Sequence, residues 1–170
     1  PSHWHLVLWP RGDSDLSEYM RWLSVTHTKR WHSHHHTIGT GALYQGRFKS
    51  FPIEADDHFL TVCRYVERNA LRANLVERAE EWRWSSLWHR VRGSTAVTLD
   101  AWPVQAGSEW LSYVNRAETE AELKALRRCV VRGTPFGGDR WKECTAKRLA
   151  LESTLRVRGR PRKIAQKTLK

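Results

Sequence analysis

Hydrophobic residues change period several times along this chain, and each change predicts a new element. Leu6-Val7-Leu8-Trp9 is a short apolar run stopped by Pro10-Arg11-Gly12, which reads as a strand closed by a turn. Leu16, Tyr19, Met20, Leu23 and Thr26 then recur at helical spacing. They predict a helix from about Leu16 to Trp31 with that set as its buried face and Asp13-Ser14-Asp15 as its caps. Aromatic and basic residues alternate through Leu43-Tyr44-Gln45-Gly46-Arg47-Phe48-Lys49, and Phe51-Pro52-Ile53 continues as extended chain. As an amphipathic strand this segment puts Arg47 and Lys49 on one face and Phe48 on the other.

Helical period returns at His58. Phe59, Val62, Cys63 and Val66 define the buried face of a helix running to about Asn69, with Asp56-Asp57 as its cap. Tyr65 and Asn69 are four apart and share a stripe beside that face. The winding continues through Ala70 to Val76, and residues 81–88 add bulky aromatic packing. From Gly93 the pattern loosens into a boundary or an extended wrap. Glu118 to Val131 reads as a helix with Leu123, Leu126 and Val130 inward, and Asp139 to Leu151 as another, separated by a Gly-Pro turn. The pair reads as a helical hairpin packed on the body, or less specifically as a helix-turn-helix.

Composition narrows the class. At 170 residues and 40% hydrophobic, with ten tryptophans, the chain can bury a real core. No stretch approaches the ~18 consecutive apolar residues of a spanning helix, and no signal-peptide pattern opens the sequence. Cys63, Cys129 and Cys144 are widely spaced, without a C-x-x-C pair, which excludes a disulfide framework and a zinc knuckle and suits a reducing cytoplasm. The formal net charge of +11 calls for a polyanionic partner. Much of it lies after Ser153, where Arg156, Arg158, Arg160, Arg162, Lys163, Lys167 and Lys170 meet no acid. Within that tail, Arg158-Gly159-Arg160-Pro161-Arg162-Lys163 has the core of an AT-hook, whose slim extended backbone can lie in a narrow minor groove. A solvated basic tail that binds any phosphate backbone is the plainer alternative.

Candidate chemistry sits at both ends of the first 70 residues. On a strand, His3 and His5 point the same way, roughly 7 Å apart, and with a third ligand can hold one divalent metal. Two histidines on a half-exposed strand are the bland reading of that H-x-H, and simple packing is the bland reading of Tyr65. A histidine-triad hydrolase would need a third alternating His, and that position is Val7. His34-His35-His36 lies in a polar, Gly-flanked stretch and reads as a basic loop brushing phosphates rather than a metal site.

Pro1-Ser2-His3-Trp4-His5-Leu6, Leu43 to Lys49, Arg64-Tyr65-Val66-Glu67-Arg68-Asn69-Ala70-Leu71-Arg72-Ala73 and Trp82-Arg83-Trp84-Ser85-Ser86 fall in the order found in single-tyrosine HUH transposases. The chain most resembles their REP-associated branch. The resemblance implies an α+β fold, a ferredoxin-like antiparallel sheet with helices. That sheet is incomplete at the N-terminus, since family members carry a strand, helix and strand before the His pair. It divides the chain into a catalytic domain at 1–92, a helical C-terminal extension at 93–152 and the basic tail at 153–170. It also implies roles: His3 and His5 as metal ligands with Asn69 completing the site, Tyr65 as nucleophile, and Mg²⁺ or Mn²⁺ as cofactor. The substrate it implies is single-stranded DNA beside a hairpin, cleaved and rejoined through a 5′-phosphotyrosine. Arg47, Lys49, Arg158, Arg160, Arg162 and Lys163 are its expected DNA contacts. No nucleotide cofactor and no membrane are implied; the protein would be cytoplasmic, a monomer or homodimer. A DNA-binding remnant without strand chemistry is the rival reading.

Overall fold

The computed structural model describes residues 3–156 and 159. Eight α-helices and one 3-10 turn are found there: α1 (Asp15–His34), α2 (Asp57–Glu67), α3 (Asn69–Arg72), the 3-10 turn (Ala79–Glu81), α4 (Ser86–Arg92), α5 (Trp110–Asn115), α6 (Glu120–Arg132), α7 (Asp139–Arg148) and α8 (Glu152–Leu155).

The predicted antiparallel sheet is not present. Among the described residues no strand forms, and the architecture is mainly helical. The reason is pairing: a strand is stable only when a neighbour takes up its N–H and C=O groups. Residues 3–10 and 47–52 are irregular and build no ladder with another segment. The single β-bridge among the described residues joins Ile53 to Phe136 in parallel, with Phe136 N–H donating to Pro52 O at 2.8 Å and Glu54 N–H to Phe136 O at 2.9 Å. The Gly-Pro turn that ends α6 therefore docks on the segment leading into α2. At its start Gly133 caps α6 with φ of 69°, a left-handed conformation that glycine adopts without strain.

The centre of the molecule is α2. Asp56 accepts a hydrogen bond from His58 N–H at 2.8 Å, capping the helix as expected. Phe59, Val62 and Cys63 are buried, on the predicted face. Ala79, Leu87 and Val114 form the densest apolar cluster, closed by Leu71, Trp110 and Leu111. Trp102 lies edge-on to both Phe59 (5.6 Å between centroids) and Trp110 (5.0 Å), so the loop before α5 covers α2 with aromatic surface. Fully burying such side chains contributes roughly 1.5–3 kcal/mol each.

Helix α1 departs from expectation. Its extent is close to the predicted one, yet none of its residues is buried. Leu16, Met20, Leu23 and Thr26 are only half covered, and Trp22 and Val25 face solvent. Its apolar stripe gives way to Lys29, Arg30 and histidines, which leaves its C-terminal half nothing to bury.

Candidate metal and tyrosine site

The C-terminal half of α2 is locked by a carboxylate inside the core. Glu67 is 2% exposed. It accepts from Ser86 Oγ at 2.6 Å and Trp110 Nε1 at 2.9 Å, with Arg90 Nε 3.8 Å away. Burial pushes its carboxyl above the usual range, against the lowering effect of Ser86, Trp110 and Arg90. These bonds fasten α2 to α4 and α5, and so fix where Tyr65 projects.

Around Tyr65 the structure gathers three of the predicted residues. The rings of His3 and His5 lie 5.1 Å apart, and the His5 ring meets the Tyr65 ring edge-on at 5.5 Å. Desolvation, with the charges of His3 and Arg72 adding to it, holds His5 down at a pKa of about 4. Its imidazole is therefore neutral at pH 7, and its buried Nε2 has no hydrogen-bond partner. A neutral imidazole with an orphaned nitrogen beside a second imidazole suits a divalent cation. Asn69 opens α3, half-buried, one turn after Tyr65.

Arg72 was not among the expected site residues. Its guanidinium lies over the Tyr65 ring at 4.1 Å and its Nη1 donates to Glu118 at 3.1 Å. Glu118 also takes Arg68 Nη1 at 3.2 Å. Tyr65 and Arg72 are seven apart, two helical turns, and that spacing was the one available signal. Arg47 and Lys49 are exposed in the irregular segment after Tyr44. Arg158, Arg160, Arg162 and Lys163 lie outside the described residues.

A second group of metal-capable donors is formed by Glu54, Asp56 and His58, whose ligand atoms fall within 4.8 Å of one another. Its oxygens already have structural work. Asp56 Oδ1 caps α2 and lies 2.9 Å from His58 Nδ1, while Glu54 Oε2 accepts from Gly138 N–H at 2.7 Å. The histidines at 34–36 are exposed at the end of α1.

Residues 1–69 match the family described as Transposase IS200 like. That segment is similar to the single-tyrosine transposases. Neither the curated proteins nor the solved structures searched gave a match. The matched segment contains His3, His5 and Tyr65 and ends at Asn69. Arg72, Ser86, Arg90, Trp110 and Glu118, which hold the segment's last helix, all come after it. No described helix is long and apolar enough to cross a membrane.

Proposed function

We propose that this chain is a transposase that cleaves and rejoins single-stranded DNA beside a hairpin, through a phosphotyrosine link on Tyr65. The observation that carries the reading is the approach of His5 to Tyr65 with Arg72 across the other ring contact. A cation held by His3 and His5, with Asn69 as a further ligand, would be Mg²⁺ or Mn²⁺ and would polarise the scissile phosphate. In the step itself Tyr65 Oη attacks phosphorus, forming a new P–O bond as the bond to the 3′-oxygen breaks. The phenolic proton passes to solvent, and the departing 3′-oxygen takes one up. The products are a 5′-phosphotyrosine and a free 3′-hydroxyl. Because one phosphodiester is exchanged for another, rejoining needs no nucleotide cofactor. Arg72 supplies fixed positive charge where the phosphate's charge builds up. Arg47 and Lys49 serve the DNA backbone, joined by Arg158, Arg160, Arg162 and Lys163 of the tail. The REP-associated branch is the one whose motif order this chain shares.

One observation favours a second reading, DNA binding without strand chemistry: no strand supports His3 and His5. The two readings part in one experiment. The chain is incubated with Mg²⁺ or Mn²⁺ and a labelled hairpin oligonucleotide bearing a single-stranded flank, then denatured and resolved by electrophoresis. The expected result is a covalent adduct that Tyr65→Phe abolishes, since the ring is kept and the attacking oxygen lost. Tight binding without an adduct would establish the second reading. An adduct that survives in Tyr65→Phe would move the nucleophile to Tyr19, Tyr44 or Tyr113.

A further inference from the structure

A row of aromatic rings runs across the exposed side of the molecule and ends beside the site. His27 and Trp31 on α1 and His35 at its C-cap are spaced four apart and stand on one stripe. Trp31 and His35 are 4.0 Å apart between centroids, and His27 and Trp31 are 6.1 Å apart. Tyr44 continues the row, 5.8 Å from His27, and a 2.6 Å hydrogen bond between His27 Nδ1 and the Tyr44 hydroxyl fixes the two together. Trp4 follows at 6.2 Å from Tyr44. It is bonded in the chain to His3 and His5, so the row stops where the site begins.

Core packing does not account for these rings. Trp4 and Trp31 are each 41% exposed, and α1 buries none of its residues. Exposed aromatics set in a contiguous row mark a surface that meets a partner. The charge says which kind. From Tyr19 to Ile53 the chain has no Asp or Glu, and it carries Arg21, Lys29, Arg30, Arg47 and Lys49. Flat π-faces at intervals, flanked by cations with no acid among them, are what unpaired bases on a phosphate backbone require. A duplex hides its base faces and has no use for such a row.

We propose that the His35–Trp31–His27–Tyr44–Trp4 row is the track for the unpaired DNA flank. Its bases stack on the exposed indoles, and the strand is delivered to Tyr65. The proposal rests on the DNA reading above and adds to it the route and the groups that hold the bases. The hydrogen bond between His27 and Tyr44 preorganises the middle of the track, which lowers the ordering cost of binding.

The test is equilibrium binding by fluorescence anisotropy in the Tyr65→Phe background, so that no covalent product contributes. Two probes of equal length are used: a mixed-sequence single strand, and the same strand with its flank made abasic, phosphates retained. The Tyr65→Phe chain should bind the first more tightly. Trp31→Ala should weaken it by roughly five- to a hundredfold and leave the abasic probe almost unaffected. Trp31→Phe, which keeps a π-face, should recover most of the loss. Equal loss on both probes, or no preference for bases before mutation, would overturn the track. The readings fail separately: base-dependent loss without any adduct from the unmutated chain keeps the track and removes the cleavage chemistry. An adduct with unselective row variants does the reverse.

Discussion

Arg64, Arg68 and Arg72 recur every four residues, and all three turn towards the stretch just before α6. Arg64 donates through Nη2 to the carbonyls of Arg116 and Ala117, both at 2.9 Å, and lies 4.1 Å from the centre of the Tyr113 ring. Arg68 and Arg72 share Glu118, whose side chain is only 4% exposed. Removing the common carboxylate strands two cations in a largely desolvated place. Glu118→Ala is therefore expected to lower stability by about 3 kcal/mol, a fall in melting temperature of roughly 6–12 °C. An unchanged melting temperature would mean that solvent already screens the pairs. At this scale the sequence placed part of the candidate site. Tyr65 was readable beside the buried face because one period along α2 placed it. Arg72's part was not, because the carboxylate that steers it is Glu118, on the far side of the core segment and unconnected by any local pattern.

Helix α6 shows how ends as well as faces hold an element. Thr119 Oγ1 accepts from Glu122 N–H at 3.2 Å, and the Glu122 carboxylate accepts from Thr119 N–H at 2.6 Å. Together they form a capping box. The Thr119 N–H, helped by the Thr119 hydroxyl and Arg64, holds the Glu122 carboxyl below its usual range despite partial desolvation. A carboxyl lowered on folding stabilises the folded state above its unfolded pKa, and that contribution is lost as pH falls through the lowered value. Glu122→Ala should thus cost about 1 kcal/mol at pH 7, seen as a melting point lower by roughly 2–4 °C. At pH 3 the gap between variant and parent should narrow; a constant gap would assign the effect to packing. Helices α2 and α6 were legible because their buried stripes run for about two turns, whereas α7, which buries only Thr145 and Ala146, was marked by the Gly-Pro turn before it. Helix α5 was not legible, since six residues leave no period to read and its burial comes from α2 and the Ala79 turn. The expected strands failed for a different reason. Alternation in residues 42–53 specifies two faces, but pairing needs a second chain segment that no local pattern reveals.

Over the whole molecule, cations outnumber acids by 29 to 18, and the tail adds Arg158, Arg160, Arg162, Lys163, Lys167 and Lys170 beyond Arg156. Arg132 Nε donates to Thr154 O at 2.9 Å and its Nη2 reaches Arg156 O, so the backbone is held to the body up to that point. A deletion of residues 157–170 spares those bonds. If each of its six cations neutralises one phosphate, deletion should flatten the slope of log K against log salt by about 4 on single-stranded DNA and about 5 on duplex. A slope that stays as steep would take the tail out of DNA binding.

The bonds that hold α2 also bear on how such a chain can be rearranged in evolution. The stretch that matches the transposase family ends at Asn69, while the groups that set Arg64, Glu67 and Arg68 in place lie from Ser86 to Glu122. Even the lead into α2 leans on the turn at Phe136. Family resemblance and foldability are thus written in different parts of the polypeptide. Genetic exchange that grafted the first part onto a foreign C-terminal region would carry the proposed chemistry across and leave behind the scaffold that aims it. Selection on the tyrosine must therefore reach across the join, and the two parts are bound to change together.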